Sequence, residues 1–152
     1  MSHRVEKGSA RCKGTFIYDG DMAKPVPLGT RAEVERTVEF KNTLTAHHEK
    51  LPPVLTTPDM IGWMEFACYL ATEPFCEGDE TTVGTAIHVR HLAPTGIGSK
   101  VTADAVLEKI EGRFHIFKVT ARDEHQQLLG DGHVHRAFVS FSKFVEKKGV
   151  KK

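Results

Sequence analysis

Between residues 31 and 41 apolar and polar positions alternate, with Ala32, Val34, Arg36, Val38 and Phe40 on one parity and Glu33, Glu35, Thr37, Glu39 and Lys41 on the other, which predicts a half-buried strand. The alternation stops over residues 42–53, where polar residues, His47, His48 and a Pro-Pro pair predict a loop placed to act as a lid. Residues 57–74, TPDMIGWMEFACYLATEP, then predict one long helix. Thr or Asp before an apolar run marks a helix start, Pro58 suits a first-turn position where a missing N–H costs nothing, and Pro74 marks the stop. After a charged turn at residues 77–80 the pattern is strand after strand, over 81–91, 100–110, 114–123 and 128–144, joined by short turns. A strand, a long helix and four closely linked strands predict an α+β domain in which a largely antiparallel sheet of five or six strands wraps the helix.

The helix pattern leaves no polar face, so burial on all sides is expected, and its one interior charge is Glu65. No Lys or Arg between Met60 and Ala71 stands three or four residues away to pair with it. A carboxylate in a dry core is expensive, so Glu65 is expected to be paired, neutral or lining a cavity. Two readings stay open: a hydrogen-bonded acid that fixes helix orientation, and a functional acid. Thr57 divides in the same way. It suits an N-cap, with Thr56 and Asp59 as a rival cap, and a hydroxyl at a helix start also stands beside free N–H groups able to stabilise an oxyanion. In the strand 81–91, Val83, Thr85, Ile87, Val89 and His91 share one parity while Thr82, Gly84, Ala86, His88 and Arg90 share the other, so His91 continues an apolar face.

Composition narrows the partners. At 152 residues the chain supports one core, and a formal net charge of +1 from 21 basic and 20 acidic residues makes no field to draw in nucleic acid or an anionic membrane. No apolar run reaches the roughly 18 residues of a membrane span or the length of a signal peptide. Cys12, Cys68 and Cys76 form no CxxC pair and point to reduced thiols, so a soluble cytoplasmic protein is expected. His133 and His135 share a strand parity, but two histidines are not a ligand set and no third is in register, so no metal is expected. Arg90, Arg113, Arg122 and Arg136 are candidate phosphate holders or solvated strand residues. Residues 1–30, rich in Gly, Lys, Pro and Ser, read as an irregular leader, 31–145 as the domain, and 146–152 as a basic solvated tail.

The run from Thr57 through GWMEFAC, with GTAIHVRH at residues 84–91 and GHVHRA at 132–137, resembles the hot-dog-fold acyl-CoA thioesterases, specifically their fluoroacetyl-CoA thioesterase-like branch. The likeness spans roughly residues 50–144. In that family a helix threonine, a helix glutamate eight residues later and a strand histidine twenty-six residues further on form the catalytic set, and Thr57, Glu65 and His91 keep both spacings. The resemblance further implies that Gly84, opening the GTAI strand, lies near the acyl group and that Arg136, closing a G-x-x-x-R pattern, contacts substrate. It implies a hot-dog fold, sites at a homodimer interface, and an acyl-CoA substrate whose CoA is consumed rather than held as a cofactor. A homodimer or larger assembly is also expected because an isolated curled sheet leaves an edge strand open.

A thioester site needs a base or nucleophile and donors for the oxyanion, while the departing thiol, with a pKa of about 8.5, needs little acid help. Glu65 is the expected nucleophile or general base, His91 the proton shuttle and Thr57 a hydroxyl bonding carboxylate or substrate. The alternatives are a hot-dog hydratase or dehydratase acting on acyl thioesters, which releases no thiol, and a non-catalytic acyl-CoA binding module. The acyl group itself is left open.

Overall fold

Short links dictate the pairing. Among the described residues, 24–147 and 149 of this computed structural model, five strands form one sheet: β1 (Arg31–Thr37), β2 (Glu80–His91), β3 (Lys100–Glu111), β4 (Phe114–Arg122) and β5 (Leu128–Ser140). Three helices, α1 (Leu44–His47), α2 (Thr57–Thr72) and α3 (Phe141–Lys147), and 3-10 turns at Phe40–Asn42 and Glu73–Phe75 complete the elements. The strands β3, β4 and β5 follow one another as a meander. Gly112, at φ +60°, supplies the backbone that the two-residue link between Glu111 and Phe114 requires. The strands flanking α2 go to the two edges, so the order is β1-β3-β4-β5-β2 with every neighbour antiparallel.

The long helix α2 touches all five strands. Its buried positions, Met60, Met64, Ala67, Cys68, Ala71 and Thr72, repeat at helical spacing along one stripe. Ala67 and Ala71 on the helix and Ala103 and Ala105 on β3 are fully or almost fully buried, and these small side chains let helix and sheet approach closely. Phe117, Phe138, Leu107 and Leu129 fill the rest of the concave face. The expectation of a helix buried all round is corrected: Gly62 and Phe66 are exposed, because the sheet covers only one side. Phe66 stacks on Tyr69 at 6.0 Å and lies under the Arg36 guanidinium.

Two strand ends also differ from the alternation. The strand predicted over 31–41 stops at Thr37, because Val38 exchanges hydrogen bonds with Ser99 and Gly98, and Phe40 is left 58% exposed. The strand predicted over 128–144 stops at Ser140, where the Asp79 carboxylate accepts from the Ser140 hydroxyl and the Ser142 N–H and opens α3. Residues 1–23 of the expected leader, and 148 and 150–152 of the expected tail, lie outside the described residues. Residues 24–30 form no regular element, yet Val26 is buried in the core and the Gly29 N–H donates to Leu107 O.

Candidate active site

The first turn of α2 separates the roles of two threonines. Thr56 is the N-cap: its Oγ1 accepts from the Asp59 N–H at 3.1 Å and donates to Asp59 Oδ2 at 2.8 Å. Capping therefore does not use Thr57, which is exposed and whose Oγ1 lies 2.8 Å from His91 Nδ1. With the imidazole proton on Nε2, Thr57 donates to Nδ1; in the other tautomer Nδ1–H donates to Thr57. His91 Nε2 is buried with no partner among the described residues. A groove of about 320 Å³ opens beside this pair, its other walls made by Leu44, Val54, Leu55, Leu92, Ala93 and Pro94.

The segment ahead of the helix is pinned rather than loose. Thr43 pairs with Leu55 and Val54 with Gly96, and the Thr56 N–H donates to Asn42 O. Of the residues expected to form a lid, Leu44 in α1 lines the groove, joined by Val54 and Leu55 just beyond them.

Two turns along α2, Glu65 has a partner that its own helix lacks. Arg136, on β5, places Nη1 4.0 Å from Glu65 Oε1, with the guanidinium almost wholly buried and the Glu65 side chain 35% exposed. The carboxylate also rests over Gly84, where a Cβ would collide with Oε1 and approach Arg136. Arg136 is fixed from behind by Thr82, its Nη2 donating to Thr82 O at 2.6 Å and to Thr82 Oγ1 at 3.2 Å. Thr82 Oγ1 in turn lies 2.9 Å from Thr72 Oγ1 on α2. Burial lowers the Arg136 pKa, and its neighbours, the Cys68 sulfur and the Glu65 carboxylate, oppose that shift. Burial raises the Cys68 thiol to about 12, leaving it inert beside this pair.

Gly84 and His91 are seven residues apart, so strict alternation assigns them to opposite faces. A bulge corrects this. Gly84 pairs with Arg136 and Ala86 with His135, leaving Thr85 as the extra residue. Before the bulge Thr82 and Gly84 face α2, and after it His91 does. The structure therefore brings the five candidates together as two groups, Thr57 with His91 and Glu65 with Gly84 and Arg136. Eight residues of helix, about 12 Å, separate the groups along α2.

Sequence reasoning missed Thr82, which alternation placed opposite the apolar parity and which nothing but the bulge reveals as inward. It also missed His115, fully buried opposite Arg136, with its ring 5.0 Å from that of Phe138. The statement that no third histidine is in register with His133 and His135 is corrected as well. His88 pairs with His133 across the strands and its ring lies 5.5 Å from that of His135. His133 is occupied by Glu108 at 2.7 Å, and among the described residues no group of three His, Cys, Asp or Glu side chains is arranged to hold a metal. No helix among them is long and apolar enough to cross a membrane.

An antiparallel sheet curled round one helix defines a hot-dog-type fold, and here it carries an open carboxylate beside a buried guanidinium and a threonine–histidine pair at the helix mouth. The family model for fluoroacetyl-CoA-specific thioesterases matches residues 33–142. The fluoroacetyl-CoA thioesterase of Streptantibioticus cattleyicolor is 40% identical over 109 residues, 72% of this chain and 78% of that one. A solved structure of the fluoroacetyl-CoA thioesterase FlK superposes with a TM-score of 0.77 at 32% identity, covering 85% of this chain and 99% of its own. A hot-dog-like protein from Thermanaerovibrio acidaminovorans shares the fold, with a TM-score of 0.72 at 24% identity over 81% of this chain and 90% of its own. The chain belongs to the fluoroacetyl-CoA-specific thioesterase family, a family of thioester hydrolases.

Proposed function

We propose that the protein hydrolyses an acyl-CoA thioester to the free acid and CoA, with Glu65 as nucleophile or general base. The observation that carries this reading is the Glu65 carboxylate, steadied by Arg136 over the bare Cα of Gly84 and still open to solvent. A carboxylate so placed is able to add to the thioester carbonyl or to take a proton from the water that does, while the thiolate leaves with little acid assistance. Thr57 and His91 supply a hydroxyl and an imidazole that pass protons and position water. Thr57 N–H, next to Pro58 with none, is a free donor of the helix start, placed to stabilise an oxyanion. Gly84 and Arg136 border the reacting group on the Glu65 side. The catalytic unit is residues 31–145, with CoA entering only as part of the substrate.

A homodimer reconciles the two groups. Among the described residues the twelve-residue edge strand β2 pairs only with β5 and carries exposed Ile87, and none of them covers the α2 face bearing Phe66. Antiparallel pairing of β2 with its copy about Ile87 and His88 sets Gly84 opposite the partner subunit's His91. Each Glu65 group then meets a Thr57–His91 pair across the interface. The free thiols of Cys68 and Cys76 support a cytoplasmic setting.

The test is thiol release from short acyl-CoA thioesters. Glu65→Gln and His91→Ala are expected to lose about a hundredfold or more in kcat, and near wild-type turnover in both rejects the assignment. Light scattering at micromolar concentration should give a dimer mass or larger, whereas a monomer counts against a site shared between subunits.

A further inference from the structure

The groove beside Thr57 and His91 has one polar end and otherwise aliphatic walls. Apart from the Thr57 N–H at the polar end, the backbone donors of the aliphatic walls are spent. The Leu44 N–H donates to Val54 O, Val54 to Pro52 O, Leu55 to Thr95 O, and both Leu92 and Ala93 to Leu129 O, while Pro94 has no N–H. No charged side chain lines it. Such a wall offers nothing to a carbon–fluorine dipole, a hydroxyl or a second carboxylate beyond the Thr57–His91 end, whereas each methylene laid against it leaves water. Leu92 stands 45% exposed at this wall, apolar surface that an occupant of matching character would cover.

Size points the same way. The groove, about 320 Å³ and widely open along one side, offers more room than a two-carbon acyl group fills. Its mouth is shared with Thr57, so a chain lying in it has its carbonyl end toward the polar pair.

We infer that this groove is an acyl-chain subsite and that the preferred substrates carry an unsubstituted aliphatic acyl group longer than two carbons, not a fluorinated or polar two-carbon one. This selectivity rests on the hydrolase reading given above. Burial of one methylene is worth about fourfold in binding, so kcat/KM rises from acetyl- to butyryl- to hexanoyl-CoA, by about two-hundredfold over four methylenes if all are covered. Fluoroacetyl-CoA gains only the intrinsic activation of its carbonyl, the factor by which hydroxide in free solution also prefers it.

The experiment measures kcat/KM of the full chain on acetyl-, fluoroacetyl-, butyryl- and hexanoyl-CoA by thiol release, with hydroxide rates for correction. The expected result is a rising series, with butyryl- and hexanoyl-CoA above corrected fluoroacetyl-CoA. A series that is flat or falls with length, or corrected fluoroacetyl-CoA about tenfold above butyryl-CoA, overturns the subsite while leaving the hydrolase intact. Absence of thiol from every thioester overturns the hydrolase reading and the subsite with it. Leu92→Asp, a change at an exposed position, puts a charge on the wall and is expected to lower the hexanoyl-to-acetyl ratio about tenfold or more. An unchanged ratio overturns the subsite.

Discussion

Glu65 Oε1 lies against the Cα of Gly84 so closely that a Cβ at residue 84 would occupy its place. The backbone there is not in the left-handed region, so alanine is conformationally acceptable and the cost falls on the carboxylate. Gly84→Ala is expected to push Glu65 off Arg136 and to lower kcat by about a hundredfold, the scale of an ångström's misplacement of a reacting group. Circular dichroism and thermal melting should show a retained fold, since a Glu65 that is one-third exposed has room to swing outward.

The adjacent threonines should separate stability from chemistry. Thr56→Ala removes the cap and is expected to cost about 1 kcal/mol in urea unfolding. Thr57→Ala leaves the cap intact but removes the hydrogen bond to His91, so thiol release should fall while the unfolding midpoint stays nearly unchanged. Equal stability losses in the two variants would show that Thr57 is structural.

Thr82 joins α2 to Arg136 through a single hydroxyl. Thr82→Val leaves buried donors short of an acceptor and is expected to destabilise by about 1–3 kcal/mol, with Thr82→Ser recovering most of the loss. Parallel denaturant titrations of the three proteins measure this. Thiol release should track the same order, because a drifting Arg136 releases Glu65.

Acid stability should depend on His115. Burial holds its pKa below the ordinary histidine value, against a smaller upward pull from the Arg113 backbone. The unfolded chain takes up that proton near pH 6.5, while the native state resists until its own lower pKa. Stability is therefore complete above about pH 6.5 and falls as the pH drops toward the folded value, by at most about 1.4 kcal/mol per pH unit. His115→Leu should flatten this limb when unfolding midpoints are compared between pH 7 and pH 5. Any residual slope can draw on His135, whose pKa is lowered by partial burial and by His88.

The helix and the antiparallel meander were legible because hydrophobic period and turn residues report on each element locally. Thr57, Glu65 and His91 stood out locally, as a helix-start hydroxyl, a lone helix acid and a strand-end imidazole, while their grouping by spacing came from the resemblance to the thioesterase family. The Arg136 contact to Glu65 was not, because a partner some seventy residues away leaves no mark on the helix pattern. The inward turn of Gly84 and Thr82 was hidden by the bulge at Thr85, which alters facing without altering composition. The open flank of α2 escaped for a different reason: an apolar residue such as Phe66 looks alike in sequence whether its cover is the same chain or another.

The bulge absorbs one residue of excess length in β2. Loss of Thr85 would restore regular pleating and leave Gly84 and His91 six residues apart, an even spacing that keeps both on the concave side with their β5 pairings unchanged. Hydropathy, charge and strand propensity would hardly register the event. A single-codon deletion at Thr85 would thus straighten β2 and still leave His91 beside Thr57: the bulge is what lets an odd spacing in the chain act as an even one in the sheet.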